Sequence, residues 1–467
     1  MKISNANIKK FDELCAQIME KNKAAGIAAS FFDRDGNVIY ENFYGYRNAE
    51  EKLPVDENTI FGLASITKSF VTLCVLKLEQ QGKLSLEDTV SSYFPSFTGK
   101  NMKKPLKLKH LLCHAGGFYP LHRTVVYDVA KSMGLDESKE GDFALSVKLA
   151  QEGARIVAAQ MDEQKDLIGL PGERMSYCND GFGLLSDVVR IAGGEKTFSD
   201  YLKKNILEPL GMDRTCCDFL KPAVDDNSSM LYTINDKERH CHHDYHDNSF
   251  VLNGAGVLKS TLNDMKKYVS MYLNEGKRAD GERIILYRYL EEMMKPRQVI
   301  NPDTFYCYGI SLKKLEGFNL FGHSGGLPGV SSYFAFMPER GIGGVVLCNT
   351  ENASAGALCE AGMMLALGSK PAIIRHDLPK AEWKREFIDD VCGRYEASEE
   401  EGFEILESQG DIIFRMNGTD TKLKPVFPCH AIIEKQFSDV YFKALLNDDG
   451  KVYAARYSTR VFKKVNK

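Results

Sequence analysis

Between residues 5 and 22 apolar side chains recur at helical spacing. Ile8, Phe11, Leu14, Cys15 and Ile18 lie along one side of an otherwise polar segment, which predicts an amphipathic helix. The period then changes. Residues 27–32 form a continuous apolar run, Asp33-Arg34-Asp35-Gly36 supplies a turn, and Val38-Ile39-Tyr40 with Phe43-Tyr44 follow, as expected of a hairpin over 25–46. From Ser65 to Gln81 apolar residues fall nearly all round a helix (Phe70, Val71, Leu73, Val75, Leu76, Leu78). This helix is therefore expected to run through the middle of the molecule and to stop at Gly82. Helical signals with irregular loops continue at 106–113, 143–155, 181–191, 198–210, 262–273 and 285–294. Strand signals return at 306–312, 329–337 and 343–347, and a small-residue helix closes the region at 353–367. Strands, then helices, then strands imply an antiparallel sheet built from both ends of this region and flanked by helices. An all-helical subdomain is inserted between the two ends.

The remainder has a different texture. Residues 371–383 are polar and punctuated by proline, which reads as a linker. Short alternating runs follow at 403–406, 412–415, 423–426, 431–433, 440–445, 452–456 and 461–464, separated by turns such as Asn447-Asp448-Asp449-Gly450. That pattern fits a small antiparallel β-barrel or sandwich. With 467 residues, more than one core is expected. The expected division is 1–370, a linker over 371–385, and 386–467.

Composition narrows the partners. The chain is 43% apolar and 27% charged with a formal net charge of −4, so no basic surface for nucleic acid is expected. No apolar run approaches the length of a membrane span, and the first residues carry no apolar signal core. Twelve cysteines are scattered, several in apolar segments (Cys74, Cys348, Cys359). They read as reduced, mostly buried thiols of a cytoplasmic protein.

Three short motifs carry the chemistry. Ser65-Ile66-Thr67-Lys68 opens the buried helix. A hydroxyl and an ammonium one turn apart share a face, and the lysine can act as base if burial or nearby positive charge pulls its pKa below the usual ~10.4. The same pattern recurs at Ser311-Leu312-Lys313-Lys314, but on a strand-like segment where residues three apart point to opposite faces. Tyr177-Cys178-Asn179 follows Pro171-Gly172 in a polar loop. The phenol can shuttle a proton between serine and leaving group, and the amide can hold both a substrate carbonyl and the lysine. His323-Ser324-Gly325-Gly326 leads into a strand, where glycines allow close substrate approach and a backbone amide can bind an oxyanion. Gly322–Gly326 also spells G-x-S-x-G, but such an elbow must lead from strand to helix, and Val330–Phe336 reads as strand. His240-Cys241-His242-His243-Asp244-Tyr245-His246 lacks standard zinc spacing and reads as a solvated or substrate-bordering loop.

Together the motifs and their order resemble the serine β-lactamase and penicillin-binding-protein superfamily, in its class C β-lactamase-like branch. Lys109–Gly117, Pro209-Leu210-Gly211-Met212 and Gly254-Ala255-Gly256-Val257-Leu258 are similar to further landmarks of that family. The resemblance covers roughly 8–368, and the C-terminal segment resembles small accessory barrels found on some members. It implies a β-lactamase/transpeptidase-like α+β fold with a C-terminal antiparallel β-barrel. It implies Ser65 as acylated nucleophile, Lys68 as its partner and Tyr177 as general acid/base. Asn179, His323, Ser324, Gly325 and Gly326 would contact substrate, with the amides of Ser65 and Gly326 forming the oxyanion hole. The reaction implied is hydrolysis of an ester or amide through an acyl-enzyme, without metal or organic cofactor. The substrate would be a D-amino-acid-type peptide or short acyl ester, with β-lactam hydrolysis or a non-catalytic binding role as alternatives. The chain departs from true class C β-lactamases in carrying His-Ser-Gly where they carry Lys-Thr-Gly. A histidine, mostly neutral at pH 7, is expected to hold a substrate carboxylate weakly and to do so better as the pH falls through ~6.5.

Overall fold

The computed structural model describes residues 3–121, 143–218, 220–235, 238–242, 253–376, 378–397 and 402–465. Its centre is a nine-stranded antiparallel sheet. In spatial order the strands are Leu53–Pro54, Val38–Asn48, Gly26–Asp33, Ile342–Cys348, Val330–Met337, Phe318–Leu327, Ser311–Leu315, Thr304–Tyr306 and Gln298–Asn301. The two ends of the region meet where Gly26–Asp33 pairs with Ile342–Cys348, Ala28 opposite Leu347 and Ser30 opposite Val345. Val330–Met337 and Ile342–Cys348 are buried at every position, because helices cover both faces. Phe334, Phe336, Val345 and Leu347 point into one core and Tyr333, Ala335, Met337 and Val346 into the other, as the two-residue period of a strand requires.

The second core is closed by the helices Asn5–Asn22 and Ala355–Ala366. Ser4 caps the first, accepting from the Asn7 amide, and Phe11, Leu14, Cys15 and Ile18 are its buried side. The first core holds the helix Thr67–Gln80, buried without interruption from Thr67 to Leu76. The expected region of helices contains Phe143–Glu163, Asn179–Gly193 and Leu262–Leu273. It is not all-helical, however: Leu231–Asn235 and Glu238–His242 form a hairpin. The second of these strands is Glu-Arg-His-Cys-His and largely exposed, so it shows no alternation from which a strand would be read. The single strand expected over 306–312 is two, interrupted at Cys307–Ile310. There Gly309 has φ +63° and passes so close to the buried helix that a Cβ would stand 2.1 Å from Thr72 Oγ1.

The C-terminal alternation closes into a barrel of eight antiparallel strands, Gly393–Glu396 through Arg460–Val465, each paired with its neighbours in sequence. The first strand, which no apolar run announced, seals the barrel against the last. Phe403, Phe414, Phe442, Tyr457 and Phe462 fill its interior. Residues 370–376 and 378–384 have no regular structure but are tied to the barrel. Arg375 donates to the carbonyls of Lys435, Gln436 and Ser438, and Trp383 Nε1 donates to the Phe427 carbonyl at 2.8 Å.

Candidate active site

Ser65 stands in a 3-10 turn, Ala64–Ile66, immediately before the buried helix rather than inside it. Ala64 has φ +49°, a left-handed conformation costing a side-chain-bearing residue roughly 1–2 kcal/mol. The turn is held there from two sides. The Leu63 amide donates to the Leu258 carbonyl (2.8 Å), and the Leu258 amide donates to Thr67 Oγ1 (3.0 Å). Ser332 Oγ donates to the Leu63 carbonyl (2.8 Å). Gly325, opposite Ser332 in the sheet, comes so close that a Cβ would sit 2.1 Å from the Leu63 oxygen. The next glycine, Gly326, faces open space. The glycine-rich end of the strand Phe318–Leu327 thus runs alongside the serine turn with its backbone accessible.

Lys68 is fully buried. Its Nζ donates to Ser65 Oγ at 3.1 Å and to the Ala255 carbonyl at 2.7 Å. It also lies 4.8 Å from the centre of the Tyr177 ring and 5.7 Å from that of Phe182, within cation–π range. Tyr177 precedes the helix Asn179–Gly193, of which Asn179 is the first residue and Cys178 the N-cap. Ser65, and Tyr177 from over a hundred residues further along the chain, are therefore grouped around the Lys68 ammonium.

Around Tyr177 the structure adds residues that sequence reasoning did not single out. The Cys178 amide donates to His114 Nδ1 (3.1 Å), which puts the His114 proton on Nε2. That nitrogen lies 3.1 Å from the Tyr306 hydroxyl, which lies 3.0 Å from His323 Nε2. His323 Nδ1 in turn donates to the Ser324 carbonyl at 2.6 Å. The donors and acceptors form one directed chain with both imidazoles neutral: Cys178 amide to His114, His114 to Tyr306, Tyr306 to His323, His323 to Ser324. Burial, with the Lys68 charge second, holds His323 down at about 3. The same two causes hold His114 well below its ordinary value. The expectation that His323 would become a carboxylate-binding cation near pH 6.5 therefore fails. Its ring is 4% exposed and its nitrogens are engaged. Asp180, also buried, has its carboxyl pushed up by burial and accepts from the Leu121 amide (2.9 Å).

The barrel reaches the same place. The Tyr177 amide donates to the Thr459 carbonyl (2.8 Å), the Val461 amide to Ser176 Oγ (3.1 Å), and Arg460 Nε to the Tyr177 carbonyl (3.4 Å). The Arg460 guanidinium lies 5.2 Å from the Tyr177 ring centre. The turn between the last two barrel strands thus forms part of the wall around Tyr177. Arg460 follows Tyr177 by 283 residues and has no local pattern to mark it. His114 lies in the Lys109–Gly117 landmark, and its position there was the one available signal.

The other sequence candidates fall elsewhere. Ser324 is mid-strand, and its strand turns at Gly329 into another strand, not a helix. Ser311 Oγ donates to the Gly322 carbonyl (3.0 Å). Of the histidine cluster, His240, Cys241 and His242 lie on an edge hairpin, and 243–246 lie outside the described residues. No group of three potential metal ligands occurs among the described residues. None of the twelve cysteines is in a disulfide. Among the described residues no helix is long and apolar enough to cross a membrane.

Comparisons with known proteins bear on family and fold. The chain is 24% identical over 328 residues to penicillin-binding protein 4* of Bacillus subtilis, covering 64% of this chain and 62% of that one, so the match spans less than two thirds of the Bacillus protein. It is 25% identical over 428 residues to the mitochondrial serine beta-lactamase-like protein LACTB of Homo sapiens, covering 73% and 76%. Among solved structures, an octameric penicillin-binding protein homologue from Pyrococcus abyssi superposes with a TM-score of 0.66 at 26% identity, over 98% of this chain and 100% of that one. SurE with D-Leu superposes with a TM-score of 0.69 at 17% identity, over 99% and 100%. The hydrolase EstCE1 does so at 0.61 and 22%, over 78% and 99%. The Beta-lactamase family model matches residues 11–366, and the chain belongs to that family of serine-hydrolase fold.

Proposed function

We propose that this chain hydrolyses an ester or amide through an acyl-enzyme on Ser65, and that its substrates are small D-amino-acid-type peptides or short acyl esters. The observation that carries the reading is the 3.1 Å contact of the buried Lys68 Nζ with Ser65 Oγ, beside the Tyr177 ring. In the first half-reaction Ser65 Oγ attacks the substrate carbonyl, and its proton passes to the Lys68/Tyr177 pair. The oxyanion is received by the amides of Ser65 and Gly326. Tyr177 then protonates the departing amine or alcohol as the tetrahedral intermediate collapses. Water attacks the acyl-serine in the second half, and the same groups return the proton to Ser65. Asn179 orients the substrate carbonyl, and His323–Gly326 line the strand along which substrate lies.

Ester or peptide over β-lactam is favoured by the neutrality of His323, which offers no cation at the position where true class C β-lactamases carry lysine. SurE, solved with D-Leu, and EstCE1, described as a hydrolase with promiscuous acyltransferase activity, lend support by analogy of fold alone. The same reading takes 1–370 as the hydrolase unit, 371–385 as linker and 386–467 as an accessory unit that borders the cleft. Twelve cysteines outside any disulfide suit a reducing compartment such as the cytoplasm. The test is steady-state hydrolysis of p-nitrophenyl acetate, D-alanine p-nitroanilide and nitrocefin by wild type and Ser65→Ala. The reading expects kcat/KM for the ester or the D-amino-acid anilide to exceed that for nitrocefin and to vanish in Ser65→Ala. Preference for nitrocefin would overturn the substrate class, and turnover by Ser65→Ala would overturn the mechanism.

A further inference from the structure

A cavity of about 750 Å³ lies between the Gln298–Asn301 edge of the sheet and the outer wall of the barrel. Ser65, Lys68 and Tyr177 do not line it. Its volume is that of a small-molecule site, and its charge is mainly positive, with Glu173 the one carboxylate among the lining residues. Three barrel positions on adjacent strands stand directly side by side across it: His430 opposite Lys443, and Lys443 opposite Arg456. Arg174 and Arg297 approach from the hydrolase side.

Like charges directly opposite on neighbouring strands destabilise a sheet, and burying a cation without a counter-charge costs more. Here both occur. Arg456 is 9% exposed. It spends two N–H groups on the carbonyls of Val299 and Ile300, its Nε has no partner, and no described carboxylate pairs with it. Lys443 is half-buried with no hydrogen-bond or ion-pair partner among the described residues. Burial and the Arg456 charge pull its ammonium down, and burial with Lys443 and Arg456 holds His430 at about 4. The acidic groups nearby face other cations and leave Lys443 and Arg456 without a carboxylate. Glu173 lies 3.6 Å from Arg174 and accepts from the Leu170 amide, Glu292 pairs with Arg297 and Lys295, and Asp303 pairs with His376.

We propose that this cleft binds a small multivalent oxyanion, phosphate- or carboxylate-bearing, between Lys443, Arg456 and Arg174. Such a ligand supplies the counter-charge that Lys443 and Arg456 lack, and charge-assisted bonds from two guanidinium groups and an ammonium would fix it. The inference is independent of the chemistry assigned to Ser65.

The test is calorimetric titration of the full chain with inorganic pyrophosphate and, separately, citrate at low ionic strength. Saturable binding of one anion per chain is expected for at least one probe. Pyrophosphate alone assigns a phosphate ligand, and citrate alone assigns a carboxylate. Lys443→Gln, a change at a residue with no structural tie, is expected to weaken binding at least tenfold while leaving the unfolding midpoint without anion near wild type. Ser65→Ala and Lys424→Gln, the latter a barrel lysine paired with Glu434, are expected to bind as wild type does. No saturable binding of either probe, equal binding by Lys443→Gln, or equal weakening by Lys424→Gln would each overturn the proposal.

Discussion

The chain carries the same four-residue pattern twice, and the two copies stand in different surroundings. Ser65 and Lys68 sit at the entry to a buried helix, where a spacing of three brings hydroxyl and ammonium to 3.1 Å. Ser311 and Lys314 lie on one strand, where the same spacing sends them to opposite faces. Ser311 Oγ is spent on the Gly322 carbonyl, and Lys314 is exposed to solvent. The motif is not a site until the backbone makes it one. The backbone does so at Ser65 through a left-handed Ala64 and the latches from Leu258 and Ser332.

The comparison breaks most visibly by exchanging the serines. Ser65→Ala is expected to bring hydrolysis of the preferred ester or anilide down to background, while Ser311→Ala keeps wild-type turnover. Far-ultraviolet circular dichroism should report both as folded. Next come the bases. Lys68→Ala and Tyr177→Phe should each lower kcat by on the order of 10²–10⁴, with Lys314→Ala unchanged. Stopped-flow acylation rates would separate these variants, and near-normal rates in both of the first two would remove the proposed proton relay.

A smaller effect is expected from Tyr306→Phe. Removing this hydroxyl leaves the facing nitrogens of His114 and His323 without partners in a buried place, at a cost of about 1–3 kcal/mol of stability. Urea unfolding reads that cost, and a loss below a few tenths would mean the chain of bonds is not formed. The smallest expected change is in titration. His323 is held at about 3 against about 6.5 in an unfolded chain, so as pH falls the unfolded chain takes up its proton first. The contribution of His323 to stability is therefore full above about 6.5 and is lost as the pH falls toward 3. Nitrogen-detected NMR between pH 8 and 5 should show His323 neutral throughout with its proton on Nδ1, and His114 with its proton on Nε2. A His323 midpoint near 6.5 would restore the role of switchable cation.

Much of this was legible in the chain. The amphipathic first helix, the 25–46 hairpin, the all-round apolar helix after Ser65 and the alternation of the barrel strands each follow from a period that one element can satisfy. The hairpin at 231–242 was not legible, because its exposed strand has no apolar face. The split at 307–310 was hidden because Gly309 answers to Thr72 on a distant helix. Of the candidate site, the three motifs carried the groups proposed to react. The groups that surround them, Tyr306 and Arg460, come from a short strand near the sheet edge and a barrel turn. Their relevance exists only once the chain has folded around Tyr177. The charge state of His323 was likewise beyond sequence, since burial rather than residue type decides it.

The central claim is that Ser65 is the residue that becomes acylated. Incubation of the full chain with a fluorophosphonate probe, followed by peptide mass spectrometry, tests it directly. The account predicts one adduct per chain, on the peptide containing Ser65, absent in Ser65→Ala and present in Ser311→Ala and Ser324→Ala. An adduct on Ser324 or Ser311, or no adduct at all under conditions where the wild-type chain hydrolyses ester, would contradict it.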